Sequence, residues 1–222
     1  LPSWAQHFAR LGAEPQPLMR LTLHIKLFLT LLCIFLSACG GGSSSSDGAA
    51  QEEQENLILV LGDSIGAGTH TSITFPDVIA SLTGIPLVNE STPSISAEQG
   101  VSRASSLIEQ YNPRYIVSLL GTNNALGAGG QADGAIRSMQ TLAEICVENG
   151  IVCIIGTIPP ITLDSSLNGN VKKINIGYRG ISDARIAFVY SAMDASHIGA
   201  DGIHPNDQGQ RVIGEVFSAQ LP

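Results

Sequence analysis

From residue 57 onward the chain alternates between short apolar runs and segments whose apolar residues recur three and four positions apart. Residues 57–61 (LILVL) form an unbroken apolar run stopped by Gly62, the pattern of a strand buried on both faces. Four more runs follow: residues 85–88, 115–120 (YIVSLL, closed by Gly121), 151–155 (IVCII, closed by Gly156) and 186–190 (IAFVY). Helical spacing is clearest over residues 97–111, 133–148 and 206–219, and Asn149-Gly150 supplies a helix stop before the fourth strand. Such alternation predicts an α/β domain, a parallel sheet of five strands with helices on both faces. Ligands of these sheets bind at the carboxyl ends of the strands. GDS after the first strand, GTNN after the third and DGIHP after the fifth all fall there. No internal repeat is evident.

The pattern before residue 57 is different. Residues 19–39 read MRLTLHIKLFLTLLCIFLSAC, with Arg20 and Lys26 ahead of an apolar run at 27–35. That run is shorter than the ~20 apolar residues a spanning helix needs, and it has the layout of a signal peptide. It ends in Leu36-Ser37-Ala38-Cys39, which resembles a bacterial lipobox, with Cys39 as the lipid acceptor. An ordinary secretory signal is the alternative; the cysteine placed directly after Leu-Ser-Ala favours the lipobox. Met19 then reads as the start and residues 1–18 as untranslated upstream sequence, followed by a signal peptide at 19–38. Residues 39–56, rich in Gly and Ser and then in Glu, read as a flexible tether to a domain at 57–222. The expected address is the bacterial cell envelope, with the domain lipid-anchored through Cys39 and facing the periplasm. Gly40 rather than Asp after that cysteine leans towards the outer membrane.

Composition narrows the picture further. The 222 residues, 44% hydrophobic, suffice for one domain with a full core. Aromatic residues make up only 5%, so that core must be built from Val, Ile, Leu and Ala. A formal net charge of −8 argues against nucleic acid, which needs a basic face. With Cys33 in the signal and Cys39 at the lipid site, Cys146 and Cys153 remain. An oxidising compartment permits their pairing, but two buried small apolar thiols are the commoner arrangement. No metal-ligand spacing such as CxxC or HExxH appears, and no cofactor motif.

Ser64 in Gly62-Asp63-Ser64 is a candidate nucleophile, projecting from a sharp turn at a strand end. A serine hydroxyl needs a base to take its proton and donors to hold the oxyanion. Taken alone, a serine after a strand is more often a helix N-cap. The candidate base is His204 in Asp201-Gly202-Ile203-His204-Pro205, where Asp201 is close enough to fix the imidazole tautomer. Asp194-Ala195-Ser196-His197 repeats the Asp-x-x-His spacing. Asp201/His204 is preferred because Pro205-Asn206-Asp207 starts a helix just behind it. His197 reads as a surface or supporting histidine and His70 as a polar rim residue. Asp63 is expected to brace its loop by accepting backbone N–H bonds. GDSIGAG as a phosphate-binding turn lacks the Gly-x-Gly-x-x-Gly order and the Walker lysine.

In this order GDS, the later Gly-x-Asn and Asp-x-x-His-Pro resemble blocks I, III and V of the SGNH (GDSL-like) hydrolase superfamily, across essentially all of residues 57–222. The resemblance implies a three-layer, flavodoxin-like fold and a site needing neither metal nor cofactor. It implies a Ser-His-Asp triad, here Ser64, His204 and Asp201. It also implies an oxyanion hole made by the Ser64 N–H, a backbone N–H of block II and the Asn123 side chain. Two positions depart from the family pattern. Ser94 stands where block II has a glycine, and its N–H keeps its place only if the local φ is not positive. Asn124 stands where block III commonly has Asp.

The expected activity is hydrolysis of a carboxylic ester or thioester through an acyl-enzyme, as in the periplasmic arylesterase, thioesterase and lysophospholipase branch. The substrate would be a small-molecule or lipid ester. A carbohydrate O-acetylesterase uses the same machinery, and a non-catalytic envelope binding protein could keep the same fold. Residues 125–130 and the loop 159–170 are expected to border an acyl pocket.

Overall fold

The computed structural model describes residues 54–127 and 131–222. The expected signal peptide, Cys39, the tether as far as residue 53 and residues 128–130 lie outside the described residues. Strand β1 (Glu55–Gly62) opens the domain two residues before the apolar run, inside the stretch expected to be tether. The reason is pairing: Glu55 N donates to Asn112 O at 3.0 Å, and Glu55 lies opposite Pro113.

Four further strands follow: β2 (Leu87–Asn89), β3 (Pro113–Leu119), β4 (Val152–Gly156) and β5 (Arg185–Ala187). They form one sheet in the order β2-β1-β3-β4-β5, and every pairing is parallel. Helices cover both faces, so the domain has three layers. On one face Leu59, Leu61, Ile116 and Ile155 pack with α2 (Ala97–Val101), α3 (Ala104–Tyr111), α5 (Ala132–Glu148) and α6 (Ser165–Arg179). On the other, Ile58, Val60, Val117 and Ile154 pack with α1 (Phe75–Thr83) and α8 (Asp207–Ser218). Phe75 and Phe217 stack there with centroids 5.5 Å apart. Successive β1 residues therefore feed opposite cores, which is why the run LILVL has no polar alternation.

Differences from the sequence reading have local causes. The expected helix over 97–111 is two helices, because α2 ends at Val101, with Ser102 as its cap, and α3 starts at Ala104. At the junction Arg103 keeps helical backbone angles, its N–H donates to Gly100 O, and its guanidinium pairs with Glu90 at 2.7 Å. The fifth strand stops at Ala187; Phe188 turns half-exposed and the chain continues into the short α7 (Val189–Ala192). The loop expected over 159–170 gives way at Ser165 to α6, capped by Asp164, whose carboxylate accepts from Ser166 N and Leu167 N. Helix α4 (Thr122–Leu126) carries Asn123 and Asn124. Cys146 and Cys153 are buried free thiols that face each other. Their mutual hydrogen bond and then burial hold the Cys153 thiol well above its ordinary range.

Candidate active site

Gly62 ends β1, and the chain turns at once, with Ala67 N donating to Asp63 O and Thr69 N to Ser64 O, each at 3.0 Å. This turn is pressed against the segment after β2. A Cβ on Gly62 or Gly66 would come within 2.4 or 2.2 Å of Ser91 Oγ, so both positions exclude a side chain. Asn89 Nδ2 donates to Gly66 O and Thr92 N to Gly62 O. From behind, Gln210 of α8 is fully buried and ties two segments together: its Nε2 donates to Ile65 O, and its Oε1 accepts from Phe75 N. A buried Gln in the first turn of a helix has no sequence signature, and it is not among the residues the sequence points to.

Ser64 Oγ lies 2.9 Å from His204 Nε2, and His204 Nδ1 lies 2.6 Å from Asp201 Oδ2. The other Asp201 oxygen accepts from Ile203 N and His204 N. Burial works against the Asp201 charge, but these backbone donors and the imidazole outweigh it and bring the carboxyl down to about 2. An ionised carboxylate only accepts, so Nδ1 carries the proton and Nε2 is left to accept from Ser64. The loop bearing both residues is held in shape from outside: Gly202 has φ 71°, and its carbonyl accepts from Thr162 N and Leu163 N. A Cβ there would meet Leu163 N at 2.6 Å. Gly199 N donates to His204 O, and Asn206 caps α8 through Gly209 N.

His197 is turned to its own loop. Its Nδ1 accepts from Asp194 N at 3.1 Å, while Asp194 caps the 3-10 turn Ala195–His197. His70 is exposed and meets His204 edge to face, with centroids 5.4 Å apart. It borders a groove of about 380 Å³ with Gly199, Ala200, Asp201, His204, Pro205 and Asn206.

Asp63 does accept a backbone bond, from Ile65 N at 2.9 Å, but only through one oxygen. Its Oδ2 is buried and has no partner among the described residues. Desolvation dominates and pushes this carboxyl up to about 6.

Ser94 has φ 67°, the conformation a glycine would adopt without strain. The condition of a non-positive φ is not met at Ser94, but its backbone takes the conformation a glycine would, so the N–H points where a glycine's would. The backbone keeps the left-handed turn, and the strain falls on the serine. The turn is tied to the third block: Asn123 Nδ2 donates to Ile95 O, and Asn124 Oδ1 accepts from Ala97 N. Asn124 Nδ2 donates to both oxygens of Glu98. Desolvation opposes the Glu98 charge, yet the Asn124 amide and Glu98's own N–H hold the carboxyl below its usual range. Among the described residues, no acceptor engages the Ser64 or Ser94 N–H. The second N–H of the Asn123 amide is also without one.

A five-stranded parallel sheet with a Ser-His-Asp chain on its carboxyl rim places the protein among SGNH-type ester hydrolases. The chain belongs to the GDSL-like Lipase/Acylhydrolase family, whose model matches residues 60–212. Thioesterase 1/protease 1/lysophospholipase L1 of Escherichia coli (strain K12) is 26% identical over 182 residues, covering 74% of this chain and 82% of that protein. Among solved structures, TesA aligns with a TM-score of 0.64 at 20% identity, over 74% of this chain and 97% of its own. The psychrotrophic esterase EstA from Pseudoalteromonas sp. aligns at 0.60 and 20%, over 75% and 97%. The lipase/acylhydrolase from Enterococcus faecalis aligns at 0.64 and 19%, over 75% and 95%. These likenesses share the fold with this chain.

Proposed function

We propose that the protein hydrolyses carboxylic esters or thioesters through an acyl-enzyme on Ser64, with His204 as base and Asp201 as its orienting anion. The observation that carries this reading is the unbroken contact chain from Ser64 Oγ through both imidazole nitrogens to Asp201. Nε2 takes the Ser64 proton as Oγ bonds the acyl carbon and the carbonyl electrons move onto oxygen. The imidazolium, held against Asp201, then protonates the departing alcohol or thiol as its bond to carbon breaks. Water repeats the sequence: it gives a proton to Nε2, adds to the acyl carbon, and collapse releases the acid and restores Ser64.

The oxyanion would be met by the N–H groups of Ser64 and Ser94 and by the free N–H of Asn123. The Asn123 bond to Ile95 O supports this, since it fixes the amide plane and joins two of the three donors in one unit. Each donor contributes roughly 3 kcal/mol in the transition state. The small-molecule or lipid ester fits a family of acylhydrolases.

We also infer anchoring to a bacterial envelope membrane through lipidated Cys39, resting on the Leu-Ser-Ala-Cys sequence after the apolar run. Among the described residues no helix is long and apolar enough to cross a membrane. The mature N-terminus tests the anchor: lipid mass on Cys39 supports it, and any other terminus removes it.

The activity is tested by an acyl-length series of p-nitrophenyl esters and acyl thioesters, with an O-acetylated glycan as control, for wild type and Ser64→Ala. The reading expects turnover that Ser64→Ala abolishes. No turnover on any ester, or undiminished turnover in the variant, overturns it.

A further inference from the structure

His70 takes no part in the proposed reaction, yet it stands over the two residues that do. One ligand atom from each of His70, Asp201 and His204 lies within 4.8 Å of the others. Two imidazoles and a carboxylate are the donor set of a borderline-soft cation such as Zn²⁺, whereas Mg²⁺ and Ca²⁺ take oxygen shells.

The surroundings fit an ion that arrives from solvent. His70 and Asp201 are exposed and His204 is partly so, so the three side chains can draw in to the ~2 Å bonds zinc requires. Gly199 and Ala200, both small, line the groove of about 380 Å³ beside them. His70 is also held in place: at φ 65° it lies in the left-handed region, where His is tolerated better than most residues. The turn carrying it is secured by Thr71 N donating to Gly68 O and by Ser72 N donating to Asp207.

We propose that His70, Asp201 and His204 form a zinc site that switches the enzyme off. A zinc ion bonded to His204 uses the lone pair of one ring nitrogen. At Nε2 it takes the electron pair that would accept the Ser64 proton. At Nδ1 it displaces the proton shared with Asp201, which moves to Nε2, so that nitrogen carries N–H and has no lone pair left for the Ser64 proton. Either way the imidazole stops serving as a base. The inhibitory consequence rests on the reaction proposed above; the binding itself does not.

Calorimetric titration with ZnCl₂ tests the site on wild type, Ser64→Ala and His70→Ala, with MgCl₂ as control and ester turnover measured in parallel. Wild type and Ser64→Ala should bind zinc alike, and wild type should lose turnover and regain it on chelation. His70→Ala should keep its zinc-free turnover while binding and inhibition weaken at least tenfold. Equal zinc binding by His70→Ala and wild type overturns the site, as does the absence of zinc binding to Ser64→Ala. If zinc binds as described but no protein turns over an ester, the site stands and the proposed reaction fails.

Discussion

Asn124 Nδ2 donates to both carboxylate oxygens of Glu98, at 3.2 and 2.9 Å, while Asn124 Oδ1 accepts from Ala97 N. The side chain thus fastens α4, which carries Asn123, to the start of α2, just after the Ser94 turn. This pairing needs the amide's donors, which a carboxylate at position 124 would lack. Asp at 124 could still accept from Ala97, but it would face Glu98 with no proton to offer.

Asn124→Asp should therefore lower stability by about 1–3 kcal/mol near neutral pH, the cost of an unmade bond and a like charge. It should reduce kcat more than it raises KM, because the displaced unit holds oxyanion donors. Adding Glu98→Gln restores a donor and should recover most of both losses. Urea melts and steady-state kinetics on the single and double variants check this, and failure of the second change to rescue contradicts it.

Ser94 at φ 67° carries strain that a glycine would not. Ser94→Gly should stabilise the fold by about 0.5–1 kcal/mol, the relief being partly offset by glycine's greater freedom when unfolded. Ser94→Ala should give no such gain. Turnover should be kept in the glycine variant, since the role assigned to residue 94 belongs to its backbone.

Asp63 has a folded-state carboxyl near 6 because burial penalises its charge. Folding favours its protonated form, so the folded state binds the extra proton between about 4 and 6 and stability falls as pH rises through that window. Above it the full cost remains, on the order of 3 kcal/mol. Asp63→Asn keeps the acceptor for Ile65 N and removes the charge. Its melting temperature should exceed that of wild type at pH 8, with the gap closing towards pH 4. A gap independent of pH contradicts this account.

Asp201→Asn tests the orienting anion. The fold should persist, and kcat should fall about a thousandfold or more through loss of the Nδ1–H tautomer. A drop of only a fewfold would assign Asp201 to holding the loop alone.

The strands were legible because each is buried on both faces, so that runs such as LILVL and IVCII reach the sequence undiluted. The fifth run misled at its end, since an apolar stretch does not say whether Phe188 and Val189 continue a strand or turn into a helix. Helix α6 did leave a signal: Val171, Ile174, Asn175 and Tyr178 form its buried face, and Asp164 caps it. Gly169 and three asparagines, Asn168, Asn170 and Asn175, each making a specific loop or core bond, diluted that signal. At the site, the partnership of Asp201 with His204 was readable from i, i+3 spacing. The contact with Ser64, 140 residues away, required the fold. The Glu98–Asn124 pair, the Gln210 brace and the position of His70 over His204 are long-range placements that no local pattern encodes.

The central claim is that the hydroxyl of Ser64 attacks the acyl carbon. Reaction of the full protein with an alkyl fluorophosphonate, followed by peptide mass mapping, tests it most directly. The account predicts a single adduct on Ser64, formed in step with loss of ester turnover and absent in Ser64→Ala and strongly slowed in His204→Ala. An adduct on another serine, or loss of turnover with Ser64 unmodified, would contradict it.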